Sequence, residues 1–172
     1  MKKIIPVLLL ILVIFTGCNS DTIYTPLYNG KKLIIGVIGN LPKVREENVK
    51  FKHINLDKIE ESKNLSSEFD AILIKKEHLS EAANHKYLAI YQHSGLPFFF
   101  IDSKKDYIVI INGEVSYEDA PDNVDGSYVE GILDENHFCG YGLYNDKVND
   151  GNIKDVYTRI FNTIESGKCF ND

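Results

Sequence analysis

The run Leu33-Ile34-Ile35-Gly36-Val37-Ile38 decides the fold, because it is nearly all apolar and has the length of a strand buried on both faces. Phe69–Ile74 and Pro97–Ile101 have the same character and predict two further buried strands. Val49–Leu56 alternates apolar and polar residues, which is typical of a half-buried strand.

Helical spacing between these strands predicts two helices. The first begins with Asp57 as its N-cap and ends near Ser67. The second spans Glu77–Ser94, and its apolar face consists of Leu79, Ala83, Tyr87 and Ile90. Strands that alternate with helices pair in parallel through right-handed crossovers, so this half of the chain predicts an α/β layered sheet.

The second half of the chain follows a different pattern. Asn112-Gly113 suits a type I′ turn and predicts a β-hairpin over residues 107–117. An amphipathic helix closes the chain, with Asn152 as its expected cap and Gly167 past its end. We therefore predict an α/β fold: a small layered domain with a mainly parallel sheet, an added β-hairpin and a C-terminal amphipathic helix.

The N-terminus has the pattern of a secretory signal. Lys2 and Lys3 precede the apolar run Ile4–Phe15, which is shorter than the ~20 residues a membrane-spanning helix needs. The ending Phe15-Thr16-Gly17-Cys18 resembles the lipobox of bacterial lipoproteins, with Phe15 where Leu is commoner. The resemblance implies that residues 1–17 are removed and that Cys18 carries a diacylglycerol on the extracytoplasmic face of the cell membrane. The alternative is an ordinary signal with a chance cysteine.

Two units are expected after the signal peptide. Residues 18–31 comprise the lipidated cysteine and a tether, since this stretch lacks periodicity and contains Pro26 and the turn signal Asn29-Gly30. Fully extended, such a tether reaches about 40 Å. Residues 32–170 are expected to form a single α/β domain that includes an irregular acidic segment, 114–150.

The charge balance excludes some partners. Removal of the signal peptide takes away Lys2 and Lys3 but no acid, which changes the net charge from −6 to −8. Nucleic acids and anionic lipid surfaces both require basic patches, so the acyl chains must provide the membrane attachment. Residues 106–146 contain ten acids and neither Lys nor Arg.

This acidic segment suggests a calcium site, because carboxylates on a flexible loop are the ligands that calcium prefers. It is not an EF-hand: aligning Gly126 with the invariant glycine places Pro121 and Ile132 at the two positions that need carboxylates. An irregular site would use Asp119, Asp122, Asp125 and Glu130. The alternative is a solvated acidic loop.

Aromatic residues interleave with glycine in the same segment, over Phe138–Tyr144. Tyr141 and Tyr144, ringed by carboxylates, would suit a contact surface for a cationic partner or a sugar, because rigid aromatic rings bind at low entropic cost. The alternative is that these rings cover the edge of the sheet.

Cys139 and Cys169 remain once Cys18 is lipidated. Outside the cytoplasm such a pair is expected to form a disulfide. Two alternatives stay open, namely inert thiols and a reactive or metal-bound cysteine with His137 nearby.

Other motifs do not support a specific chemistry. Gly36-Val37-Ile38-Gly39 lacks the third glycine and the following helix of a dinucleotide fingerprint. His78, Glu81 and His85 are expected to form a solvated helix face, because the two histidines are too far apart for one zinc ion. No serine lies in a nucleophile-elbow context, so enzymatic activity is not supported by any motif.

Residues 31–111, placed after a lipobox, are distantly similar to one lobe of an extracytoplasmic solute-binding protein. Those proteins bind ligand between two lobes, whereas this chain has residues for one. We therefore expect a membrane-anchored, non-catalytic accessory or interaction module that contacts another envelope protein or a small ligand. The alternatives are a small-molecule or calcium-binding protein that uses one lobe or a homodimer, and a thiol-dependent enzyme.

Overall fold

A six-stranded sheet forms the centre of the molecule. The computed structural model describes residues 21–62, 64–106, 111 and 115–170. The strand order is β2-β1-β3-β4-β5-β6; β2, β1, β3 and β4 are parallel, whereas β5 is antiparallel to both β4 and β6. The strands are β1 (Leu33–Ile38), β2 (Val49–His53), β3 (Ala71–Lys75), β4 (Phe98–Ile101), β5 (Ser127–Asp134) and β6 (His137–Gly142). The predicted α/β class with a mainly parallel sheet is confirmed.

Helices cover both faces of this sheet. They are α1 (Leu56–Glu61), α2 (Leu79–Ala82), α3 (His85–His93) and α4 (Asp150–Ser166). Three 3₁₀ turns accompany them: Leu65–Ser67, Lys76–His78 and Tyr144–Asp146. The C-terminal amphipathic helix is therefore confirmed as α4, and Gly167 ends it in the left-handed conformation with φ 66°.

Asparagine side chains begin the helices two or three residues before the predicted positions. Asn55, not Asp57, caps α1 by accepting a hydrogen bond from the Lys58 amide at 3.0 Å. Asn149, not Asn152, caps α4 by accepting one from the Asn152 amide at 2.9 Å. An asparagine carbonyl satisfies one of the amides that a helix start leaves without an intrahelical partner.

The predicted single helix over residues 77–94 is wrong, because the chain breaks it at Asn84. This residue takes an extended ψ of 135°, and its side chain caps α3 through the Lys86 amide at 3.1 Å. Asparagine favours such caps over helix interiors, since its side chain competes for backbone hydrogen bonds.

The acidic segment 114–150, predicted to be irregular, contains the β5–β6 hairpin. The glycines in these strands made the sequence resemble a loop. Gly131 is needed because a Cβ at this position would lie 2.8 Å from the Phe99 ring. The hairpin predicted over residues 107–117 depends on residues 107–110 and 112–114, which lie outside the described residues.

Alternating strand residues build a core on each face of the sheet. Ile72, Ile74, Phe98 and Phe100 pack with α1, α2 and α3. Leu73 and Phe99 point to the opposite face, where they pack with α4. The sheet is thus the middle layer of three, and α4 is the one described helix on its second face.

Since α4 is the one described helix on that face, segments without regular secondary structure pack around it, and its polar residues are buried as well. The buried polar residues of α4 are Asn152, Asp155, Thr158, Arg159 and Thr163. The β1–β2 connection covers part of the helix through the Thr158 hydroxyl. This hydroxyl donates a hydrogen bond to the Glu46 carboxylate and accepts one from the Arg45 guanidinium at 2.6 Å.

Residues 21–32, which we call the strap, cover the rest of α4. The Asp155 carboxylate accepts hydrogen bonds from the amide and the hydroxyl of Thr25. At the far end of the helix, Glu165 accepts one from the Lys31 amide at 2.9 Å. The prediction of a free tether is therefore wrong for residues 21–31, because this segment supplies partners for buried polar groups of α4.

Asn152 joins the strap to the loop that precedes α4. Its amide nitrogen lies 2.9 Å from the carbonyl of Asp21, 3.1 Å from that of Tyr144 and 3.0 Å from that of Lys147. Its side-chain oxygen accepts from the Ile23 amide at 3.3 Å. One buried side chain thus satisfies backbone groups from two separate segments.

Replacing Asn152 with Ala should lower the free energy of unfolding by about 2–3 kcal/mol, because it removes the hydrogen bonds of a buried side chain to two separate segments. Urea denaturation of residues 19–172 measures the change. Asn162→Ala is the matched control: it lies in the same helix but bonds only the Thr158 carbonyl among the contacts described, so a loss below about 1 kcal/mol is expected. Equal losses in the two variants would contradict the role given to Asn152.

A disulfide fastens the end of the chain to β6. Cys139 and Cys169 are bonded, with their Cα atoms 5.5 Å apart and a sequence separation of 30 positions. The sequence leaves open a disulfide, inert thiols and a reactive or metal-bound cysteine, and the structure shows the disulfide. It holds the residues after α4 against the hairpin.

The double variant Cys139→Ser, Cys169→Ser should lose about 3–4 kcal/mol of stability, since the bond removes entropy from the unfolded chain. Urea denaturation without reductant compares it with the parent protein. Adding reductant should destabilise the parent and leave the variant unchanged; a parent protein that is insensitive to reductant would show that the bond does not form.

Candidate functional site

The acidic and aromatic residues singled out in the sequence do not form one surface. Tyr141 is buried under α4 and donates a hydrogen bond to the Thr163 hydroxyl at 2.7 Å, so the packing alternative applies to it. Glu130 is also buried, and its carboxylate accepts from the side-chain amide of Asn123 at 2.7 Å. Val129 is the strand partner of Tyr141. Successive strand residues point to opposite faces of the sheet, so Glu130, which follows Val129, lies on the face opposite Tyr141.

The remaining candidates have exposed side chains. Asp122 pairs with Lys105 at 3.0 Å, and Asp119 accepts from the Ser116 hydroxyl at 2.8 Å. Asp125 and Tyr144 are exposed in the loops before β5 and α4. Among the described residues, no group of three or more His, Cys, Asp or Glu side chains is arranged to hold a metal ion.

The sheet topology indicates a different location for a site. β1 leads into the 39–48 connection on the α4 face, whereas β3 leads into α2 and α3 on the opposite face. The chain therefore leaves two neighbouring parallel strands in opposite directions. In open α/β sheets, ligands bind beyond the carboxyl ends of the strands at such a switch point.

Backbone packing is tight at this switch point. Gly39 follows β1 with φ 104°, and a Cβ there would lie 2.7 Å from Glu77 Oε1 and 2.8 Å from Lys75 Cβ. The same Glu77 oxygen accepts a hydrogen bond from the Asn40 amide at 3.3 Å. Glycine is needed for this close approach, which joins the ends of β1 and β3.

Lys75, the last residue of β3, forms a pair with Tyr157 of α4. Its Nζ donates a hydrogen bond to the phenol oxygen at 2.9 Å. Burial lowers the pKa of Lys75 below its usual 10.5, although the carboxylates of Glu77 and Asp102 oppose the shift. Burial also raises the pKa of Tyr157, so its phenol stays protonated at neutral pH. The edge thus holds a partly buried amine beside a neutral hydroxyl.

Asp102 directly follows β4, one residue past Ile101, the register partner of Lys75, and has a positive φ of 57°. Its carboxylate accepts hydrogen bonds from Lys76 at 2.8 Å and Lys104 at 3.0 Å. Burial favours the protonated acid, but these bonds outweigh it and the pKa of Asp102 lies below its usual value. Burial and the charge of Asp102 raise the pKa of Tyr128 to about 12.

Two clefts open at this carboxyl edge. One, of about 190 Å³, lies between β1, β2 and α1 and includes His53, His78 and Glu81. His78 and Glu81 thus line a cleft without His85, instead of forming one polar face with it. The other, of about 230 Å³, lies between β4, β5 and the loop before α4, and includes Asp102, Tyr128 and Val148. The edge therefore offers polar clefts with amine, hydroxyl and carboxylate groups that suit a small polar ligand.

Sequence reasoning missed the Lys75–Tyr157 pair. The two residues are 82 positions apart, and no local pattern marks their contact. The one available signal was the position of Lys75 directly after a buried apolar run, where a parallel strand presents its carboxyl end.

Comparisons with protein families, curated proteins and solved structures give no match to this chain. In the part of the chain that the structure describes, no helix has both the length and the apolar character to cross a membrane.

Proposed function

We propose that the protein is a lipid-anchored module on the extracytoplasmic face of a bacterial cell membrane, attached through a diacylglycerol on Cys18. The observation that carries this proposal is the disulfide between Cys139 and Cys169. Such bonds form and persist in oxidising compartments and are rare in the cytosol. A disulfide in a chain that begins with a signal-like segment and Phe15-Thr16-Gly17-Cys18 supports export.

The module is non-catalytic and serves another envelope protein or a small ligand. The disulfide occupies both cysteines that remain after lipidation, which leaves a thiol-dependent enzyme without its nucleophile. The six residues predicted to form an acidic and aromatic contact face do not lie on one surface. The carboxyl edge of the sheet is therefore the better candidate for the binding surface.

Cys18→Ser should abolish acylation and release the protein from the membrane fraction. Metabolic labelling with a palmitate analogue and cell fractionation measure the two effects. The double variant Cys139→Ser, Cys169→Ser should keep its label and is the matched control. Continued labelling of Cys18→Ser would contradict the proposed anchor.

A second candidate function is binding of a small anionic ligand at the carboxyl edge. The Lys75–Tyr157 pair favours it, because Lys75 is partly exposed at a switch point and its amine can donate hydrogen bonds to a carboxylate or phosphate, while the buried Tyr157 phenol holds the amine in place. The ligand approaches a single lobe, in contrast to the two-lobed clefts of solute-binding proteins.

The Lys75–Tyr157 hydrogen bond should contribute little to the free energy of unfolding when both of its partners are replaced together. Tyr157→Phe removes one partner and should cost about 1–2 kcal/mol, whereas the double variant Lys75→Met, Tyr157→Phe replaces both partners with apolar groups and should recover most of that loss. Urea denaturation of the two variants tests this. A double variant less stable than Tyr157→Phe would assign the pair a structural role.

The double variant also provides the control for ligand binding. Thermal melts of residues 19–172 against carboxylates, phosphates, sugars and calcium should reveal a stabilising anion. A ligand at a hundred times its dissociation constant adds ~2.7 kcal/mol, which raises the midpoint by roughly 5–10 °C. The double variant should lose that shift. An equal shift in both proteins would place the ligand elsewhere.

A further inference from the structure

One end of the molecule gathers the start of the described chain and two loops. We call it the anchor end and define it by Asp21, the loop residues 123–126 and the segment 144–149. Asn149 and Asn152 donate hydrogen bonds to the Asp21 carbonyl at 3.2 and 2.9 Å, which holds the start of the strap beside the N-terminus of α4. Val148 shares a cleft with Asp102 and Tyr128, so the carboxyl edge lies at the same end.

Covalent geometry limits how far this end stands from an anchor at Cys18. Three residue steps separate Cys18 from Asp21, and a fully extended chain spans at most about 10 Å over them. Because the strap is bound along α4, it cannot lengthen this distance without losing its hydrogen bonds to Asn152 and Asp155. With the lipid anchor proposed above, the anchor end can move at most about 10 Å away from Cys18.

Exposed apolar side chains lie at the anchor end. Val124 is 91% exposed, Val148 70% and Tyr144 39%. Ile23 and Tyr24 of the strap are exposed nearby. Single exposed apolar residues need no explanation, but their concentration next to the proposed lipid anchor does. Aliphatic and tyrosine side chains are suited to the boundary between headgroups and acyl chains.

Acidic side chains at the same end limit how deeply it can enter. The exposed acids there are Asp21, Asp125 and Asp146, and the exposed Asp150 follows directly at the start of α4. Carboxylates remain in water or among headgroups because burial of an unpaired charge in hydrocarbon is costly. The contact is therefore shallow and depends on the loop tips and not on attraction to anionic lipid.

We infer that the anchor end lies against the bilayer, with Val124, Tyr144 and Val148 in the headgroup region and the carboxyl-edge clefts on the membrane-proximal side. The inference rests on the proposed lipidation of Cys18. Its consequence is that a ligand of the Lys75–Tyr157 pair reaches the site along the membrane surface.

Tryptophan fluorescence provides a direct test, because the chain contains no tryptophan. Val148→Trp places a single probe on an exposed position of the anchor end. Lys168→Trp is the matched control at the other end of α4, about 25 Å away along a helix of 17 residues. Each full-length mature lipoprotein is reconstituted into phosphatidylcholine vesicles, with and without bromine on the acyl chains near the headgroups.

The expected result is a blue shift and bromine-dependent loss of emission for Val148→Trp, with neither effect for Lys168→Trp. Flotation with the vesicles tests the lipid anchor separately. A floating protein with no quenching at Val148, or with quenching at Lys168 instead, would overturn the orientation and leave the anchor intact. A blue shift at Val148 that does not depend on bromine would show that a second copy of the chain covers this end, and would also overturn it. A protein that does not float would overturn both proposals.

Discussion

Among the described helices, only α4 lies on the second face of the six-stranded sheet, and this constraint shapes the rest of the molecule. Helix α4 is buried on nearly every side, including at Asn152, Asp155 and Thr158. A buried polar group without a hydrogen bond costs about 1–3 kcal/mol. The strap and the β1–β2 connection therefore do more than fill space, because they supply the partners that allow α4 to be enclosed.

This arrangement links the fold to the proposed membrane anchor. A tether of thirteen residues would let the domain move freely above a membrane, whereas a bound strap removes that freedom. It also places the start of the described chain at the carboxyl edge of the sheet, where Lys75 and Tyr157 meet. The site and the proposed anchor thus depend on the same set of contacts around α4.

Strands and helices formed by local patterns could be predicted from the sequence. The apolar run Leu33–Ile38 matches β1 at both ends, and Gly167 ends the last helix as expected. The strap could not be predicted, because Thr25 and Asp155 are 130 residues apart and no periodicity marks their contact. The β5–β6 hairpin was missed because glycines such as Gly131, required by the nearby Phe99 ring, resemble a loop in the sequence.

The central claim is that the strap is part of the folded domain. Hydrogen–deuterium exchange of residues 19–172 tests it most directly, because the Ile23, Thr25 and Lys31 amides donate to side chains of α4. We predict that these three amides are protected and exchange together with the amides of α4. Exchange at the rate of an unfolded peptide would contradict the account and restore a free tether.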